Sequence, residues 1–177
     1  MSFASQSSEV ARIAARVLRA QLRIGPGTEG TTCVVLDDQG RMLLVKTRYH
    51  RGWSACGGFL DPKEDPAEGI RRELTEEVGL PATAPAPVLH RKLTRARHRD
   101  FLFTLQLDGD SAAALRVSSW ELHQIGWFTP FDLPRLLGVT ATMISSSLGI
   151  VEVQDGRWVW GPQVSAAYGP VGSQPWP

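Results

Sequence analysis

Glu73, Glu76 and Glu77 carry the densest chemistry of the chain. They fall in a stretch predicted to be helical over residues 66–78. Asp65 and Glu68 make a capping-box-like pair, and Pro66 takes the first helical position. Ile70, Leu74 and Val78 recur every four residues and form an apolar stripe. The i, i+3, i+4 spacing puts the three carboxylates on one face, bordering that stripe and therefore partly buried. Carboxylates so crowded repel one another. Uncompensated, one or two would stay protonated or the helix end would weaken. A divalent cation removes the conflict, and an all-oxygen donor set suits a hard ion, Mg²⁺ or Mn²⁺ as its substitute. The competing reading is a solvated acidic face, with Arg72 paired to Glu76 or Glu68.

The flanking residues decide between these readings. Residues 58–80 read GFLDPKEDPAEGIRRELTEEVGL. Gly58, Glu64, Arg72-Glu73-Leu74, Glu76-Glu77 and Gly79-Leu80 match the Nudix box at every defined position, so the sequence resembles the Nudix hydrolases. Weaker likeness spans about residues 30–137, including Leu43-Leu44-Val45 and the Glu121 to Phe128 stretch. The resemblance implies an α/β fold in which a mixed β-sheet is sandwiched between helices (α/β/α), with the box as loop–helix–loop. It implies a metal-dependent pyrophosphohydrolase that cleaves a nucleoside diphosphate linked to another moiety, by water attack on phosphorus. Glu73, Glu76 and Glu77 are then the metal ligands, and the Gly57 carbonyl completes the shell. Glu64 and Arg72 brace loop against helix, and Gly58 and Gly79 allow tight turns at either end of the helix. Mg²⁺ would neutralise the diphosphate, orient it and acidify a water, while a carboxylate takes the proton. Glu73 is one candidate for that base. Glu121, from outside the box, is the other, unless it is merely an exposed strand acid.

Two positions depart from the family pattern. Cys56 stands where a proline is common, and Lys63 where a glycine commonly precedes Glu64. A cysteine before the box also resembles isopentenyl diphosphate isomerases, but Cys56-Gly57 is followed by Gly58 and the glutamate core is intact. A small buried thiol is the simpler expectation. A catalytically silent nucleotide-binding module is the alternative from another class. Its marks would be a degraded box or an added DNA-binding domain, and neither is visible.

Substrate contacts are less legible. Residues 90–99, HRKLTRARHR, are the most basic run. Arg95 and Arg97 either grip a distal phosphate or coat a hairpin tip. Arg48, Arg51 and Trp53 precede the box, with Trp53 either stacking on a base or anchoring the loop. The terminal SQPWP resembles a segment of NADH pyrophosphatases but lies far downstream of the box, so it reads as coincidence. Marks of the ADP-ribose, dinucleoside polyphosphate and coenzyme A subfamilies are missing.

Strands are predicted over 31–36, 42–45, 88–94, 101–107 and 121–128, joined by a turn at Asp37-Asp38-Gln39-Gly40 and a loop over 48–66. Thr129-Pro130-Phe131-Asp132 is a helix-start pattern, and a further helix is expected over 141–148. A small hairpin is expected around Asp155-Gly156. The organisation expected is an N-terminal helical extension over 1–24, which could form a homodimer contact, a Nudix domain over 25–160, and a Gly/Pro-rich tail over 161–177. The 177 residues suffice for one domain. With 42% hydrophobic residues, 21% charged residues and a net charge of +1, the chain has the balance of a soluble globular protein. That charge gives no field to recruit nucleic acid or membrane. No apolar run approaches the ~20 residues of a spanning helix. Two cysteines, Cys33 and Cys56, are too few for a disulfide scaffold, and free thiols suit a cytoplasmic setting.

Overall fold

Strand β1 (Thr28–Leu36) is apolar on both faces over Cys33-Val34-Val35-Leu36, which places it inside a sheet rather than at its edge. The computed structural model describes residues 28–95, 98–129, 132–137, 140, 141, 144, 150–152 and 158–160. The other elements are β2 (Met42–Thr47), β3 (Cys56–Phe59), α1 (Pro66–Val78), β4 (Val88–Arg95), β5 (His98–Gln106), α2 (Gly109–Ala114), β6 (Leu122–Phe128), β7 (Ile150–Glu152) and β8 (Trp158–Trp160). The six-stranded sheet runs β4-β5-β1-β2-β6, with β3 also paired to β1. It is mixed. β5 lies parallel to β1, whereas β2 and β3 lie antiparallel to it, the latter from Gly30↔Phe59 to Cys33↔Cys56. β7 and β8 pair separately, at the expected hairpin; its turn residues lie outside those described.

Two apolar layers hold the sheet. On one face Cys33, Val35, Leu43 and Val45 pack with Ile70, Leu74 and Val78 of α1 and with Phe101, Phe103, Leu105 and Leu107. On the other, Val34, Leu36, Met42 and Leu44 pack with Ile144, flanked by Trp53, Phe128, Leu133 and Leu136. Both layers follow from the period-two alternation of β1 and β2, which sends successive side chains to opposite faces. Among the described residues no helix is long and apolar enough to cross a membrane.

The predicted helix over 66–78 forms with the predicted bounds. Asp65 accepts from the backbone N–H of Ala67 (2.8 Å) and Glu68 (3.3 Å). Gly79, left-handed at φ 69°, stops it, with Gly79 N–H donating to Thr75 O and Leu80 N–H to Leu74 O.

Two expectations are corrected, and one element is added. The predicted loop over 48–66 contains β3, whose glycines carry no strand signal and which forms by pairing with the backbone of β1 from Gly30 to Cys33. The short α2, capped by Asp108, was not foreseen. The helix-start pattern at Thr129 is followed by non-helical chain over 132–137, because Arg135 and Leu137 pair with the Trp53 backbone instead. The expected N-terminal helix, the C-terminal tail and most of the 141–148 helix lie outside the described residues.

Lys63 adopts φ 67°, the left-handed region that costs a side-chain-bearing residue energy. This torsion suits glycine, the residue expected to be commoner here from the resemblance. Lys63→Gly is expected to raise stability by roughly 0.5–1 kcal/mol, less than the full relief because glycine also loosens the unfolded chain. Urea unfolding measures it, and a loss of stability would contradict the torsional reading.

Candidate active site

The site is built where β3 passes beneath the last two turns of α1. Arg72 is its hub. Its Nε and Nη2 form two parallel bonds to the Glu64 carboxylate at 2.7 and 2.8 Å, and its Nη1 reaches Glu73 Oε1 at 2.8 Å. Glu76 Oε2 stands 3.8 Å from the same Nη1. Glu64 Oε2 in turn accepts the Asp61 N–H at 2.7 Å, and Phe59 O receives Arg72 Nη2 at 3.4 Å. One guanidinium thus ties the loop over 59–64 to the helix and compensates the acids around it.

The two glycines before the loop do different work. Gly57 has φ 150°, and a Cβ there would lie 2.2 Å from Thr31 O. Gly58 lacks a positive φ, but a Cβ would stand 2.5 Å from Glu73 Oε1. Its need is space for the glutamate, not the tight turn expected of it.

The glutamates are not equivalent. Glu73 is buried, Glu77 is half-buried, and Glu76 is exposed, so the shared face is buried only on the side toward the sheet. Glu77 Oε2 accepts the Gly57 N–H at 3.1 Å. Burial, then the charges of Glu73 and Glu121, push its carboxyl from 4.5 up to about 8, against the opposing pull of the Gly57 N–H and the Cys56 thiol. Glu121 lies just before β6, and its Oε2 accepts the Tyr49 hydroxyl at 3.2 Å. Burial, then Glu121, push that phenol up to about 12. Burial above all, then Glu77, raise the Cys56 thiol well above its ordinary range, so it stays protonated at neutral pH.

The structure therefore brings together Glu64, Arg72, Glu73, Glu76, Glu77, Gly57, Gly58 and, from across the sheet, Glu121. Gly79 serves the helix terminus. Trp53 packs edge-on to Phe128 with ring centroids 4.9 Å apart and bridges to Leu136, the loop-anchoring role. Arg48 and Arg51 are exposed on the loop after β2. Arg97 and the side chain of Arg95 lie outside what is described. Among the described residues, no three acidic, histidine or cysteine side chains converge as they stand on a point that would hold a metal, and Glu73 is ion-paired to Arg72. Cys56 is the small buried thiol expected, and Tyr49 is the neighbour to which sequence reading gave no role in the site. Only the antiparallel register, with Thr47 opposite Leu122, brings Tyr49 to Glu121.

Residues 28–144 match the NUDIX domain model, well over half of the chain. The chain is 30% identical over 107 residues to a Bacillus subtilis (strain 168) protein named "Putative 8-oxo-dGTP diphosphatase", covering 60% of this chain and 70% of that one. It is 30% identical over 118 residues to the nucleoside triphosphatase NudI of Enterobacter sp. (strain 638), covering 59% and 84%. The fold superposes on a MutT NUDIX hydrolase from Burkholderia pseudomallei with a TM-score of 0.57 at 21% identity, covering 68% of this chain and 98% of that one. With box, fold and family match in agreement, this chain belongs to the Nudix family and is a hydrolase of phosphorus-containing anhydrides.

The Glu77 carboxyl fixes the sign of a pH effect. Its folded pKa, about 8, lies above the unfolded value of 4.5, so the folded chain keeps a proton that the unfolded chain loses between those values. Metal-free protein is expected to lose stability as pH rises across this window, by at most about 1.4 kcal/mol per pH unit. Glu77→Gln should flatten that slope, read by urea unfolding in EDTA at several pH values. An equal slope in the variant would remove Glu77 as its source.

Proposed function

We propose that this hydrolase is a metal-dependent pyrophosphohydrolase of nucleotides or nucleotide conjugates. Its divalent cation, Mg²⁺ with Mn²⁺ as substitute, would be held by Glu73, Glu76, Glu77 and the Gly57 carbonyl. The observation that carries the reading is the gathering of Glu73, Glu77 and Glu121 in one place, where burial and then the charges of Glu73 and Glu121 hold the Glu77 carboxyl protonated toward pH 8. Such a donor set, all oxygen and short of positive charge, fits a hard cation. When bound, that cation supplies charge neutralisation of the phosphates and a more acidic water.

The chain's own groups do the rest. Arg72 fixes Glu64 and Glu73, so the loop over 57–64 presents its backbone at a set distance from α1. Glu121 is the better placed of the two candidate bases. Glu73 is neutralised by Arg72, whereas Glu121 is held in place by a neutral phenol and keeps its second oxygen for a proton from the attacking water. Arg48 and Arg51, with Arg95 and Arg97, are the proposed phosphate contacts. The names of the relatives make nucleoside triphosphates, including 8-oxo-dGTP, the first substrates to try. The protonated Cys56 lies against Glu77 and serves the packing of β3 on β1, which favours hydrolysis over the isomerase reading.

The test is release of phosphate, pyrophosphate or nucleotide from a panel of (d)NTPs, 8-oxo-dGTP, ADP-ribose, NADH, diadenosine polyphosphates, nucleotide sugars and 5′-triphosphate RNA. Turnover that needs Mg²⁺ or Mn²⁺ and is lost in Glu76→Gln/Glu77→Gln is expected. Glu121→Gln should lower kcat by about 10²–10⁴ with metal affinity kept. Turnover undiminished in Glu121→Gln would return the base to Glu73, and turnover unaffected by the double substitution would overturn the ligand assignment.

A further inference from the structure

The chain turns between Ser119 and Leu122, where the Leu122 N–H donates to Ser119 O at 3.2 Å. The two central residues of this turn are Trp120 and Glu121. The backbone reverses across them, so both side chains project from the tip. The tip is held firmly. The Glu121 N–H donates to Ser119 Oγ at 3.2 Å, Arg48 Nε to Trp120 O at 2.6 Å, and the Arg48 N–H to Glu121 O at 2.9 Å. Just upstream, the Ser118 N–H donates to Glu77 O at 2.9 Å and the Arg116 N–H to Val78 O at 3.1 Å, which ties the segment to the end of α1. Trp120 is therefore fixed in place, yet it is 53% exposed. Tyr49, whose hydroxyl bonds the Glu121 carboxylate, is 59% exposed, and its ring meets the His50 imidazole edge-on at 4.9 Å. Glu121 thus has one exposed ring beside it in the chain and another on its carboxylate. The ring of Trp53, by contrast, is taken up by Phe128 and by Lys46 Nζ, 5.7 Å over its centre.

We propose that Trp120, together with Tyr49, is a stacking platform for the planar base of a nucleotide substrate, and that it sets a preference for nucleotides over ring-free anhydrides. A rigid indole presents a flat π-face without first having to be ordered, and a base covers that face more fully than an aliphatic chain would. Neighbouring Cα atoms are about 3.8 Å apart, so a base on Trp120 lies within the reach of a single nucleotide from Glu121. Stacking does not read the hydrogen-bonding edge of a base, so the platform selects nucleotides as a class and not one base among them. That the ring belongs to the substrate rests on the pyrophosphohydrolase reading; binding of a base to Trp120 does not.

Saturation-transfer NMR of the full chain with adenosine, which has a base but no anhydride to cleave, tests the platform. Saturable binding is expected, with the strongest transfer to the base protons. Trp120→Ala should weaken it about tenfold or more, and Trp120→Phe, which keeps a ring, should recover most of the affinity. Far-UV circular dichroism checks that both variants fold. In turnover, Trp120→Ala should raise KM for a nucleoside triphosphate with kcat little changed. No saturable adenosine binding, or equal affinity in wild type and Trp120→Ala, would overturn the proposal. So would an equal loss in Trp120→Ala and Trp120→Phe, which would mark a structural role, or an unchanged KM in Trp120→Ala. Adenosine binding that depends on Trp120, in a chain that turns over no nucleotide, would count against the hydrolytic reading alone.

Discussion

Glu73 and Glu77 sit on the flank of α1 that meets the sheet, beside the core residues Leu74 and Val78, and Glu121 reaches the same place from the start of β6. Like charges gathered next to apolar packing must be compensated, and the local structure is organised around that requirement. Arg72 answers part of it with three acidic neighbours on one guanidinium. Gly57 N–H and the Cys56 thiol answer another part at Glu77. What remains unanswered is held as a proton on Glu77, a provisional solution that a divalent cation would replace.

That arrangement depends on close approach. β3 can lie this close to β1 because Gly57 has no side chain to collide with the Thr31 carbonyl, and Gly58 has none to occupy the space that Glu73 fills. Bulk at either glycine would move the strand, the loop and the Arg72 contacts together. The caps of α1 matter for the same reason: Asp65 and Gly79 fix where the helix starts and stops, and so which residues face β3.

Much of this was legible in the sequence because it is local. The bounds of α1, its caps, the box and the alternation of β5 all follow from spacing along the chain. Less legible were features set by distant partners. β3 has no strand signal of its own, and the segment after Thr129 has helix-start residues but pairs with Trp53 instead. The unequal burial of Glu73, Glu76 and Glu77 depends on where β3 passes, which spacing on a helix does not specify. Tyr49 came into the site through a cross-strand register, and the basic side chains of β2, its following loop and β6 came together for the same reason. Charge is accordingly divided at the end of the sheet, with crowded acids toward α1 and basic side chains beside them.

The central claim is that the crowded carboxylates form a metal site, and the most direct measurement is calorimetric Mg²⁺ titration at pH 7 in two buffers of different ionisation enthalpy. Because Glu77 would have to give up its proton, binding should release about one proton per metal, and Glu77→Gln should lose both the release and most of the affinity. Mg²⁺ bound as tightly by Glu77→Gln as by wild type, or bound by wild type with no proton released, would contradict the account.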